Sequence, residues 1–193
     1  MPDFADFTYY FALDVLGITK FTIGMSTLIA GAAVILGPVA YQKFCRNTQF
    51  PKLFFWSQII NVAQAVLMLL LALRLNSSLG LPDLFVYLLT GSFAEAVERM
   101  MTIIPSFIIM AKIIPPGVEG SMVALTATII NLNQFLIRGS FGALLNDLFV
   151  GVTTQHLEKY PSLAWMYLFG KFFPFFFIFS LIPKNEDVQE LQQ

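Results

Sequence analysis

Five charged side chains sit in long apolar stretches where a charge must have a reason. Glu95, Glu98 and Arg99 share one stretch, Arg138 lies in the next and Lys171 in the one after. A charge at the centre of a hydrocarbon layer costs about 2.5–3.5 kcal/mol on insertion scales, so charges kept there usually face a cavity or a partner. On a helix, Glu95 and Arg99 are four residues apart and share a face, with the acid N-terminal to the base. Glu98 lies beside them. Asn131, Gln134 and Arg138, spaced three and four apart, form one polar stripe, with Asn133 next to it. Two chemistries fit these groups. In the first, Arg138, Lys171 and Arg99, with Asn131 and Gln134, hold an anionic solute between helices, and Glu95 or Glu98 carries a coupling proton. In the second, Glu95 pairs with Arg99, Glu98 pairs with Arg138 or Lys171, and the stripe is interhelical glue.

Enzyme and metal chemistry find no footing in the sequence. Cys45 and His156 are the only residues of their kinds, too few for a usual zinc site without carboxylates or a second chain. There is no glycine-rich phosphate loop with its lysine and no H-E-x-x-H. His156 falls in an outer loop without a plausible serine–histidine–acid set. Neither catalytic residues nor a metal or cofactor are expected.

The charged groups need lipid-embedded helices to position them. Hydrophobic residues make up 57% of the chain and charged ones 12%, against about 45–50% and about 25% in soluble domains. That excess exceeds what one core can hide, and the lipid bilayer is its natural solvent. A net charge of −1 gives no basic field to attract nucleic acid. The start, Met1 to Phe7, has no positive region and places two acids early, so no cleavable signal peptide is expected.

A spanning helix takes about 20 mostly apolar residues. Five stretches qualify: Phe21–Tyr41, Leu53–Leu73, Leu84–Ile113, Val118–Val150 and Leu163–Ile182. The third and fourth exceed a span and should tilt, kink or protrude. Phe4–Leu16 is too short to span alone and reads as the end of a sixth helix or as an interfacial one. The expected fold class is therefore an all-α membrane protein, a multi-span bundle of five full transmembrane helices plus a partial first one. Residues 1–183 form the bundle and 184–193 a polar tail.

The loop 42–52 holds Lys43, Arg46 and Lys52 without an acid, which places it, and by alternation the C-terminus, in the cytoplasm. Asn76-Ser77-Ser78 is then a glycosylation triplet on the outer side. Gly24, Gly31 and Gly37 suit close helix packing. Pro38, Pro105 and Pro174 each free a carbonyl and can bend a helix. The run Phe172–Phe177 is expected to face lipid, and Trp56 and Trp165 to anchor at the interfaces.

Pro115-Pro116-Gly117-Val118-Glu119-Gly120, followed by Ala124-Leu125, Asn131-Leu132 and Gly142-Ala143-Leu144-Leu145, resembles the folate/biopterin transporter family of the major facilitator superfamily. Tyr41-Gln42-Lys43-Phe44 through Leu53 and Arg74-Leu75-Asn76 through Asp83 are similar to it as well. The resemblance implies a twelve-helix secondary transporter of which this chain forms the C-terminal half, moving folate- or pterin-like solutes, often with protons. Its partner would be an N-terminal half, a second copy or another membrane subunit. Within the matched motif, Pro115, Pro116, Gly117 and Glu119 carry a structural or gating role. The sequence departs from the family at Glu95, Glu98, Arg99, Asn133, Gln134 and Arg138, which stand where apolar or small residues are usual, and at Gly91, where an acid is usual. A non-transporting assembly subunit derived from such a transporter is the alternative.

Overall fold

The computed structural model describes residues 4–115, 117–133, 139–153 and 156–182. Helices dominate these residues, which contain no β-strand; one isolated bridge joins Thr153 and His156. In chain order the elements are α1 (5–15), α2 (Lys20–Cys45), α3 (Phe50–Ala72), α4 (Leu75–Ser78), α5 (83–113), α6 (Glu119–Asn131), α7 (Gly139–Val150) and α8 (Leu157–Leu181).

Local chemistry sets the helix ends. Thr19 sits in extended conformation before α2, and its hydroxyl accepts from Thr22 N at 3.2 Å, a side-chain N-cap. Pro51 and Pro161 occupy first-turn positions of their helices, where the missing N–H costs nothing. Helix α5 is continuous but contains two π-helical turns, Leu89–Phe93 and Arg99–Ile103. The second lies just before Pro105, which lacks the N–H that would bond to the Met101 carbonyl. A wider turn is one way a helix absorbs that loss. Pro174 acts differently. It divides α8 into Tyr160–Phe172 and Phe175–Leu181, and Phe173 N falls back on Gly170 O at 3.4 Å.

Helix α3 is the hub, flanked by α8 on one side and α5 on the other, with α2 packed on α5. One core cluster joins α1, α3 and α8 through Phe11, Ala65, Leu69, Leu163 and Leu168. A second joins Tyr41, Cys45 and Leu53 to Met100, Ile104 and Ile108 of α5. Interhelical hydroxyl bonds reinforce the packing. Ser92 Oγ donates to Ser26 O, and Thr102 Oγ1 to Ser57 Oγ, both at 2.7 Å. Of the three glycines on α2, only Gly37 meets a close neighbour among the described residues, with Ile104 Cδ1 3.4 Å from where a β-carbon would stand. Gly24 and Gly31 face open space. The close-packing expectation therefore holds at one glycine of the three.

Among the described residues, three helices are long and apolar enough to cross a membrane: α2, α3 and α8. The third expected span, α5, has the length but carries Glu95, Glu98, Arg99 and Lys112. The fourth is described as two pieces, α6 and α7. Large apolar side chains cover the outside of the bundle, including Phe21, Phe149 and Phe176. An apolar exterior on this scale belongs in lipid.

Candidate functional site

A polar stripe on α3 organises the interior. Gln58, Asn61 and Gln64 recur every three residues and so lie along one side of the helix. Gln58 Nε2 donates to the carbonyl of Lys171. Asn61 Oδ1 accepts from Lys171 Nζ at 2.8 Å, while Asn61 Nδ2 donates to Ser57 O at 3.0 Å. Gln64 Nε2 donates to the carbonyl of Thr90, inside the first π-turn of α5. Three amides thus tie α3 to α8 at two points and to α5 at a third.

Lys171 is the expected site residue that the structure places most firmly. It is 8% exposed, and its ammonium stands 4.8 Å from the centre of the Tyr167 ring, one turn away on α8, a cation–π arrangement. Among the described residues no carboxylate pairs with it. A buried ammonium held only by an amide oxygen and a ring face keeps most of its attraction for an anion, because neither partner cancels its charge.

Tyr167, whose ring faces this lysine, also lines a cavity of about 310 Å³. Its walls include Tyr9, Gln64, Tyr87, Thr90, Tyr160 and Tyr167, from α1, α3, α5 and α8. Tyr160 is fixed on both sides: its ring stacks on Phe11 at 4.2 Å and its hydroxyl bonds to Thr8 Oγ1 at 2.9 Å. Small-molecule sites usually span about 300–1,000 Å³ and combine apolar walls with a few placed polar groups.

The other expected residues are more scattered. Asn131 is exposed and lies in a separate cleft of about 190 Å³ between α5 and α6, with Phe107 and Val123. Glu98 is exposed. Glu95 and Arg99 belong to the α5 backbone at the edges of its π-turns, but their side chains lie outside the described residues, as do Gln134, Arg138 and Pro116 in whole. In the Pro115–Glu119 turn, Gly117 adopts φ +93° and its N–H donates to Glu119 Oε2 at 2.9 Å. The acid folds back on its own turn and adds negative charge at the N-terminus of α6.

The triplet asparagine is a correction. Asn76 is 1% exposed. Its Nδ2 donates to Leu81 O at 3.1 Å and to Asp83 Oδ1. A glycan on Nδ2 would displace both bonds, so this packing holds Asn76 unmodified.

Asn61 and the tyrosine cavity were not among the expected site residues. The three-residue spacing of Gln58, Asn61 and Gln64 within an apolar run was the available signal.

A helical membrane bundle with an uncompensated buried cation beside an aromatic cavity is a framework for holding a polar solute. Residues 5–193 match the BT1 family, and the chain belongs to that family. It is 26% identical over 180 residues to a folate-biopterin transporter of Synechocystis sp., covering 92% of this chain and 35% of that protein. It is 32% identical over 110 residues to a probable folate-biopterin transporter of Arabidopsis thaliana, covering 57% and 22%. To folate transporter 2 of Plasmodium falciparum it is 24% identical over 198 residues, covering 99% and 41%. The chain thus spans between about a fifth and two fifths of the length of these relatives. No solved structure matches it.

Proposed function

We propose that this chain forms the C-terminal half of a secondary transporter for folate- and pterin-like anionic solutes, of the major facilitator type. Lys171 carries the reading: a buried ammonium with a neutral hydrogen-bond partner is suited to a carboxylate that arrives and leaves. Arg138, Arg99, Asn131 and Gln134 complete the polar path. Glu95 and Glu98 on α5 carry the coupling proton, and the π-turns around them give the helix room to shift. The 115–119 turn acts as a structural or gating element. Five full spans and a partial first helix fill residues 1–183, and the tail 184–193 lies in the cytoplasm. Solute passes as the two halves rock around a midplane site.

A second reading is a non-transporting assembly subunit. On that reading the exposed Glu98 and α6, which has no buried residue, form an assembly surface, since a charge and a helix left uncovered call for a neighbour. Expression of the full-length protein, in the assembly it forms, in cells deficient in folate uptake separates the two. Restored accumulation of labelled folate, lost in Lys171→Gln, supports transport. A correctly inserted protein that restores none supports the subunit.

A further inference from the structure

The tyrosine-walled cavity and Lys171 divide the work of recognition between a neutral ring and a charged tail. We propose that the cavity seats the flat, hydrogen-bonding heterocycle of a pterin-like ligand, with the ligand's carboxylate bound at Lys171 next to it. This rests on the transport reading above and assigns separate parts of the ligand to separate residues. The first observation is composition. The walls present Tyr9, Tyr87, Tyr160 and Tyr167 with the amide of Gln64 and the backbone of Thr90, and among the described residues no charged side chain lines the space. Aromatic faces stack on any flat heterocycle, and an uncharged polar wall suits a neutral ring better than an anion.

The second observation is size. About 310 Å³ is at the lower end for small-molecule sites, which suits a fused-ring head rather than a whole folate. The third is adjacency. Tyr167 is shared: it lines the cavity and its ring lies 4.8 Å from Lys171 Nζ. Asn61, which holds that ammonium, is one turn along α3 from Gln64. The carboxylate position therefore adjoins the ring position without entering it. The fourth is preorganisation. Gln64 is fixed through Nε2 to Thr90 O, and no hydrogen bond among the described residues engages its amide oxygen, which is left as an acceptor for ring N–H groups. Tyr160 is immobilised by Phe11 and Thr8, so a ring would enter a wall already set.

Three probes test the division in full-length protein reconstituted in lipid nanodiscs with any subunit it retains: biopterin (a head without carboxylate), p-aminobenzoylglutamate (carboxylates without a pterin head) and folate, which has both. Binding is followed by tyrosine fluorescence and calorimetry. Gln64→Leu should weaken biopterin and folate about tenfold and leave p-aminobenzoylglutamate unchanged, which also shows the fold intact. Tyr9→Leu, at a half-exposed wall position, should act in the same direction. Lys171→Gln should do the reverse, weakening folate and p-aminobenzoylglutamate and sparing biopterin. If wild type binds folate but Gln64→Leu and Tyr9→Leu alter neither it nor biopterin, the cavity assignment is overturned and the transport reading stands. If wild type binds none of the three, both fall.

Discussion

Lys171 Nζ donates to Asn61 Oδ1 at 2.8 Å, joining two helices through residues 110 apart in the chain. The pairing is asymmetric: it satisfies a proton of the ammonium but leaves its charge. A carboxylate at position 61 would satisfy and neutralise it together.

Asn61→Asp is therefore expected to keep the fold and lose the anion. Folate affinity should fall at least about tenfold, since hydrogen bonds to charged groups contribute about 1.5–3 kcal/mol, while the unfolding temperature holds or rises. Calorimetric titration alongside thermal unfolding in nanodiscs checks both. Folate affinity equal to wild type would show that the Lys171 charge is not used.

Asn146 fixes the end of α7. It is 3% exposed, donates from Nδ2 to Val152 O and accepts at Oδ1 from Val152 N, each at 2.9 Å. Asn146→Ala strands two buried backbone groups and should cost about 1–3 kcal/mol. Asn146→Asp keeps the acceptor and loses the donor, so its loss should be smaller unless the carboxylate charges. Unfolding temperatures of the two variants decide the order.

Asp83 serves two donors, Arg74 NH1 at 2.7 Å and Nδ2 of the buried Asn76. The arginine is half exposed and its bond to Asp83 adds little; the asparagine is buried and cannot turn to water. Asp83→Ala should destabilise by about 1–3 kcal/mol and Arg74→Ala by under about 1 kcal/mol. Equal losses would put the weight on the ion pair. Glycosidase treatment of protein made in a glycosylating host should leave its electrophoretic mobility unchanged.

Gly117 holds φ +93°, a region closed to most side chains. Gly117→Ala should cost about 1–2 kcal/mol and disturb the turn that presents its N–H to Glu119. Glu119→Gln keeps an acceptor oxygen and should leave both stability and proton-stimulated uptake near wild type. Loss of proton stimulation in that variant would move Glu119 from a structural role to a coupling one.

Much of this architecture is legible in residue types. The apolar runs around Leu53–Leu73 and Leu163–Ile182 give the positions of α3 and α8 because lipid leaves the backbone little choice but helix. Lys171 stands out for the same reason: its charge is costly there. Asn61 does not stand out alone, because an amide in an apolar run is cheap enough to be ordinary. Only its spacing with Gln58 and Gln64 marks it. The tyrosine cavity draws on four helices, so no local pattern announces it. The π-turns of α5 add width without a compositional mark, apart from Pro105. Gly24 and Gly31 show the converse: small residues permit close packing without requiring it.

The central claim is movement of an anionic pterin-like solute across a membrane. The most direct test is uptake of labelled folate into sealed proteoliposomes holding the full-length protein in the assembly it forms on purification, with and without an inward proton gradient. Saturable uptake that the gradient stimulates and that Lys171→Gln abolishes is the predicted result. A folded, correctly inserted protein that takes up no folate under either condition would contradict it.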